Sequence, residues 1–344
     1  MLLKELSEAF GVSGHETAVR ELILDTIKDW IDEHRVDALG NLIVLKRGDG
    51  SSKRKVMLSA HMDEVGLMIM HIEKDGSLRF YEVGGIDDRV LLAKTVLIGD
   101  EKVPGVIGVK PIHLLDSKER EQVLKQKQLS IDIGASSQEE AGKLVKLGDY
   151  AAFDVSFAEL GGELRTVKGK AFDDRAGCAV LIELLRQDYP FDLHAAFTVQ
   201  EEVGLRGARV AAYSIAPDLA FALEGTICDD LPKKRDVSPT TKLGAGPAIT
   251  IMDRSVIADR RLVQLLVDTA KQNGIPYQFK QPGLGGTDAG AIHLAREGVP
   301  STVVSIPSRY IHSPTCLLSL NDFDNAVHLM GATLAKVHEL DLRN

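Results

Sequence analysis

The period of apolar positions changes twice along this chain, and those changes divide it. In the first segment Val19, Leu22, Ile23 and Ile27 recur at helical spacing. Ser13 and Glu16 stand just before them with the spacing of a capping box. The pattern predicts a short helix, a turn over residues 11–14 and a second helix. Apolar runs at 41–45 and 56–60 predict strands, the second leading into His61-Met62-Asp63. From 67 to 166 the texture shifts to short β runs (LMIMHI, LRFYEV, KTVLIG, VPGVIGV, LSIDIG, DYAAF) broken by turn signals such as Asp75-Gly76 and Gly84-Gly85, with one helix expected near 138–147. Beyond residue 167 strands and helices alternate. Helices are expected at 175–186, 259–273, 288–297 and after 321, and strands at 194–200, 219–223 and 301–306.

Alternation of that kind predicts an α/β fold, a mixed sheet sandwiched by helices on both faces. The simplest organisation is one such domain, 1–66 plus 167–344, interrupted by a small β domain at 67–166. A chain of 344 residues with 44% hydrophobic and 26% charged positions can fill both cores. A formal net charge of -9 argues against a nucleic-acid partner. The basic stretch at 118–127 is interleaved with Glu119, Glu121 and glutamines, and reads as a solvated helix face. The longest helical apolar run, 176–185, is about half the ~20 residues needed to span a membrane, so no membrane role is expected. No signal-peptide pattern opens the chain. Cys178, Cys228 and Cys316 form no CxxC pair, which points to a reducing, cytoplasmic compartment.

Several acids and histidines then stand out by position. His61-x-Asp63 closes an apolar strand, where residues two apart face the same side, and a carboxylate beside an imidazole can set its tautomer for metal binding. Asp173-Asp174 opens a helix, a place where acids also serve as plain caps. Glu201-Glu202 follows a buried strand, the edge at which open α/β sheets place their sites. One of the pair could bind metal while the other handles protons, and spacing alone leaves open which. Glu224 is expected at the end of the 219–223 strand, and His312 in the loop SRYIHSP. Each has a bland reading alone; at one sheet edge they would converge. Asp173, Glu202 and Glu224 supply three negative charges and a bridging hydroxide a fourth, which balances two divalent cations. Histidine and carboxylate donors without cysteine suit zinc, cobalt or manganese. In GGTDAG, Thr287 reads as a helix cap and Asp288 as a group standing behind the ligands. No GxSxG occurs, Cys178 lies in a buried helix and Cys316 lacks a separate activating base, so nucleophilic catalysis has no candidate.

Taken together, HMDEVGLM at 61–68, KAFDDRAG at 170–177, TVQEEVGLRGA at 198–208, LEGT at 223–226, GGTDAGAI at 285–292 and SRYIHSP at 308–314 resemble the M42 family of metallo-aminopeptidases. The six motifs run in family order across most of the chain. The resemblance implies a zinc-peptidase-like catalytic domain with a PDZ-like inserted domain used in assembly. It implies two metals, one held by His61 and Glu224, the other by Glu202 and His312, with Asp173 bridging. Asp63 would orient His61, Asp174 would follow Asp173 across a cis peptide, and Glu201 would be the general base and acid toward a metal-bridging water. Many members carry Asp where this chain has Glu224. Partners implied are peptides with a free N-terminus and further copies of the chain, as dimers or a hollow tetrahedral dodecamer. The alternative is a two-metal deacylase or amidase acting on N-acyl groups. A glycosidase would leave both histidines idle. Loops around 225–260 and 283–310 are the expected walls of the specificity pocket, but the pattern does not rank acidic, basic and apolar N-terminal residues.

Overall fold

The computed structural model describes residues 1–231 and 240–342. Among them an eleven-stranded mixed sheet forms the body of the molecule. Four long strands run parallel at its centre: Asp192–Thr198, Lys55–His61, Leu219–Cys228 and Ser301–Arg309. Antiparallel strands flank them, Leu42–Lys46 and Glu33–Val36 on one side, Cys316–Ser319, Thr166–Gly169 and Ala158–Gly161 on the other.

Side-chain alternation along the central strands shows why helices cover both faces. In Lys55–His61, Val56, Leu58 and Ala60 enter one core with Phe172, Leu181, Leu266 and Leu329, while Met57 enters another with Ala208, Ala211 and Ala212. Alanines on that second face let the Arg206–Ile215 helix sit close to the sheet. The Phe172–Leu184 helix is buried almost all round, as its unbroken apolar pattern predicts. Two other helices start at side-chain caps: Asp259 accepts from Arg261 N and Leu262 N, and Ser319 accepts from Asp322 N.

A separate closed barrel of six strands lies within residues 66–153: Gly66–Ile72, Leu78–Val83, Ile131–Asp132, Val103–Ile107, Thr95–Ile98 and Tyr150–Phe153. Its own core contains Leu67, Ile69, Phe80, Val96, Ile107, Ile131 and Phe153. The chain is back in the large sheet at Ala158–Gly161, inside the stretch expected to be wholly inserted. The expected helix face at 118–127 is instead two exposed 3-10 turns, Glu119–Glu121 and Gln126–Gln128. The helix expected at 288–297 is short, Ala289–Ile292, and the chain turns through Arg296 at φ 55°.

Two buried cations tie down the N-terminal segment, Lys170 through the Ala9 carbonyl at 3.0 Å and Arg175 through several groups. Arg175 is fully buried and donates to the carbonyls of Met62 (2.7 Å), Leu6 (2.6 Å), Ala9 (3.2 Å) and Gly11 (3.3 Å). Its guanidinium also lies 3.4 Å from Glu64, which Lys170 holds at 2.5 Å. Arg175→Ala would take a donor from four carbonyls, of which Ala9 keeps Lys170 and Gly11 keeps Glu64 N–H, and would leave Glu64 with one cation. We expect a loss of about 3–5 kcal/mol in unfolding free energy, measured by denaturant titration.

Candidate active site

His61 is the last residue of the Lys55–His61 strand and is 1% exposed. Its Nδ1 lies 3.1 Å from the backbone carbonyl of Asp63, so Nδ1–H donates there and leaves the Nε2 lone pair facing the site. Nε2 stands 3.3 Å from Asp173 Oδ1 and 3.5 Å from Glu224 Oε2. A second imidazole mirrors this arrangement. His312, in the turn after Ser301–Arg309, has Nδ1 2.8 Å from the carbonyl of Gly85, a residue of the barrel segment. Its Nε2 stands 3.6 Å from Asp173 Oδ2 and 3.4 Å from Glu202 Oε2. The two oxygens of Asp173 thus face the two histidines separately.

These spacings test whether divalent ions fit. Donors bound tetrahedrally at about 2.1 Å lie about 3.4 Å from one another. The four distances above fall between 3.3 and 3.6 Å. The donor atoms of His61, Asp173 and Glu202 also lie within 4.8 Å of one another, so the residues fit divalent metal. Asp174 also lies within donor distance of His61 and Glu224. Its oxygens, however, accept from His61 N (3.0 Å) and Gly177 N (2.9 Å), which makes it a clamp on the backbone. The Asp173–Asp174 peptide is cis, as the motif implies.

Close backbone approach makes the convergence possible. A β-carbon on Gly225 would lie 2.8 Å from Asp173 Cα, and one on Gly177 would lie 2.5 Å from the Leu223 carbonyl. Only glycine at both positions lets the Phe172–Leu184 helix start against the strand that carries Glu224. That strand differs from expectation. It runs on to Cys228, so Glu224 lies inside it, paired with Ser305, rather than at its end. The ladder to Ser301–Arg309 continues through Gly225 and Thr226 because their backbone groups still find partners there.

The acidic pair is positioned by Asp63. Its carboxylate accepts from Glu201 N at 3.0 Å, Glu202 N at 3.1 Å and Ser13 Oγ at 2.6 Å. Asp63 therefore orients His61 through its carbonyl, with its carboxylate a longer 3.4 Å away, and spends that carboxylate on the backbone of the two glutamates. Ser13 and Glu16 are not a capping box. The helix is Thr17–Ile27, Ser13 serves Asp63, and Glu16 Oε1 accepts from Gly14 N (2.7 Å) and Gln200 N (3.1 Å). Nor is Thr287 a cap, since its hydroxyl bonds Asp253. Asp288 does stand behind Glu224: its N–H donates to Glu224 Oε1 at 3.1 Å and its Oδ2 accepts from Thr198 Oγ1 at 2.6 Å.

Burial and mutual repulsion push several of these acids up. Glu201 and Glu224 rise well above the carboxylate range and Glu202 to about 7, each chiefly from burial, with neighbouring carboxylates adding to it. Burial also raises Asp173, but His312 and His61 on either side outweigh it and hold the group low. Burial alone would lower His312, yet its bond to Asp173 and the charge of Glu202 lift it to about 10. Burial pushes Cys316 to about 12 and Cys178 well up, so neither offers a thiolate.

All of the expected ligands and Glu201 line one cleft of about 650 Å³. The lining also includes Thr226, Ile227, Cys228, Gly285, Gly286 and Tyr310, within the two regions expected to form the pocket, and Lys280, which lies outside both. Residues 232–239 of the first loop lie outside the described residues. Sequence reasoning missed Ser13, Glu16, Thr198 and Lys280.

The description of the family model that matches residues 40–329 is M42 glutamyl aminopeptidase. A lysyl aminopeptidase of Pyrococcus furiosus is 38% identical over 99% of this chain and 98% of its own. Aminopeptidase APDkam598 of Desulfurococcus kamchatkensis superposes with a TM-score of 0.92 at 40% identity, covering 97% of this chain and 94% of its own. The TET1 peptidase of Pyrococcus horikoshii, which can assemble into a tetrahedron or a large octahedral shell, gives 0.86 at 40% identity over 96% and 98%.

Glu16 yields a pH prediction. Burial, reinforced by the charge of Asp63, raises it from 4.5 to about 6. As pH rises from 4.5 toward 6 the unfolded chain gives up this proton first, so Glu16 lowers stability across that window. Glu16→Gln keeps an acceptor for the two N–H groups. The fall in unfolding free energy between pH 4 and pH 7 should be about 1–2 kcal/mol smaller in the variant than in the parent, read by denaturant titration at each pH.

Proposed function

The chain belongs to the M42 glutamyl aminopeptidase family and is a hydrolase acting on peptides, and on that premise we propose that it removes N-terminal residues with two divalent metals and Glu201 as general base and acid. One observation carries the reading: two histidines share Asp173 and each stands at coordination-edge spacing from it and from one further carboxylate, while a sixth side chain, Glu201, faces them from outside. His61 and Glu224 would hold one ion, His312 and Glu202 the other, and Asp173 both. Zinc, cobalt or manganese bound there would supply a water of lowered pKa and polarise the scissile carbonyl.

Glu201 is suited to move the proton. Its backbone is fixed by Asp63, and its carboxyl has a raised affinity for protons, so it can accept one from the attacking water and deliver it to the departing amine. Asp63 keeps Glu201 and Glu202 in register by holding consecutive N–H groups. The acidic lining gives the substrate's α-ammonium its counter-charge, which favours free N-termini over N-acyl groups.

The inserted barrel within residues 66–153, PDZ-like by resemblance, serves assembly in this reading. Met70, Tyr81, Ile112 and Leu114 leave large apolar side chains exposed on it, an unusual surface for a lone copy. The shells formed by the TET1 relative support a similar oligomer, dimers building a tetrahedral dodecamer. Three free thiols suit a reducing cytoplasm. Among the described residues no helix is long and apolar enough to cross a membrane.

Glu201→Gln tests the assignment of the base. The variant should retain metal at the parent's stoichiometry by elemental analysis yet lose turnover of aminoacyl p-nitroanilides by at least about 100-fold. Full activity would remove Glu201 from the mechanism, and cleavage of N-acylated but not free-amine substrates by the parent would favour a deacylase.

A further inference from the structure

Beside the catalytic cleft lies a second groove of about 660 Å³, between the Arg206–Ile215 helix and residues 290–296. Gly204 and Leu205 line both. Their charges are opposite. The cleft is lined by four carboxylates and one lysine, whereas the groove is lined by Arg206, Arg209 and Arg296 and by no acid. On a chain of net charge -9, none of these three arginines has a carboxylate in ion-pair reach among the described residues. Arg296 is fixed on the groove wall: its Nε and Nη2 donate to the Tyr213 carbonyl at 2.9 and 2.7 Å, and its guanidinium lies 3.6 Å from the centre of the Tyr213 ring. Arg206 gives one N–H to Gln200 Oε1 at 3.2 Å. Arg209 is exposed and has no hydrogen-bond partner among the described residues. A guanidinium has five donors, so most of those in the groove remain open to a ligand.

The chemistry at the cleft decides which part of a peptide lies here. A base that delivers its proton to the departing amine stands on the leaving-group side of the scissile bond. Glu201 has that role in the aminopeptidase reading, and the turn that follows it leads to the groove: Gly204 N and Leu205 N both donate to the Glu201 carbonyl at 2.9 Å. A peptide also carries charge in the order that the two cavities require, an ammonium at its N-terminus and a carboxylate at its other end. We infer that the groove seats the leaving portion of the substrate and that its arginines bind the C-terminal carboxylate of a short peptide. This role rests on the aminopeptidase reading and adds what the far end of the substrate must carry. Val210 and Leu294, exposed along the groove, offer apolar contact to the residues between the two ends. Exposed guanidinium groups each contribute modestly, so the selection is several-fold and sensitive to salt.

The test uses the full-length, metal-loaded enzyme and a ladder of peptides from dipeptide to hexapeptide. Each has alanines after the N-terminal residue whose p-nitroanilide the enzyme cleaves fastest, and each is supplied as the free acid and as the C-terminal amide. The readout is the ratio of kcat/KM for acid over amide, in which any general loss of activity cancels. In the parent the ratio should reach about 5–10 once the peptide is about four residues long, with the difference in KM, and should fall toward 1 in about 0.5 M salt. Arg209→Gln should lower the ratio by about threefold, and Arg209→Glu should bring it to 1 or below. A parent ratio near 1 at every length, a ratio largest for the dipeptide and lost in longer peptides, or a ratio unchanged in both variants overturns the inference and leaves the aminopeptidase reading intact. So does an Arg209→Glu variant whose assembly state changes by light scattering while its ratio does not, which gives the groove to another copy of the chain. Absence of turnover on every free-amine substrate overturns the reading and the inference with it.

Discussion

Buried negative charge is the constraint on which the rest of this structure depends. Asp173, Asp174, Glu201, Glu202, Glu224 and Asp288 gather at one edge of the central sheet, and burial pushes up the proton affinity of all six, an effect that neighbouring histidines overcome only at Asp173. Carboxylates in such a place ionise together only if each finds compensation. The fold provides it in graded ways. Asp174 takes two backbone N–H groups, Asp63 nearby takes two more and a hydroxyl, and Asp173 lies between two imidazoles. What remains uncompensated, on Glu202 and Glu224, lies at coordination distances from those same imidazoles. Divalent cations answer that residue of charge with the donors already aimed at them.

The scaffold can be read as the means of holding this edge together. Parallel strands bring His61, Glu224 and the residues after Thr198 to one end. Glycines at 177 and 225 remove the side chains that would separate helix from strand. The site also draws on both of its neighbours. The N-terminal segment supplies Ser13 and Glu16 and is anchored by Arg175, and the barrel supplies the Gly85 carbonyl that sets the tautomer of His312. Movement of the barrel against the sheet would therefore reach His312 through one hydrogen bond.

Much of this was legible in the chain itself. His61, Glu201 and Glu202 follow clean apolar runs, whose period marks strands and so marks their ends. The misread residues share one cause, a local pattern overridden by a distant partner. Ser13 and Glu16 have capping-box spacing, but Asp63 and Gln200 outbid the helix terminus for their oxygens. Glu224 reads as the end of a strand because Gly225 breaks the apolar run, although pairing with Ser301–Arg309 carries the strand onward. Lys280 has no local signal, since a lysine closing a short polar strand looks solvated until the tertiary fold encloses it.

The central claim is that the acidic edge is a two-metal catalytic centre. It is tested most directly by adding zinc, cobalt or manganese in measured amounts to chelated protein while following both bound metal and turnover of an aminoacyl p-nitroanilide. The account predicts no turnover without metal and a plateau reached at two ions per chain. Full turnover with no metal bound, or a plateau already complete at one ion, would contradict it.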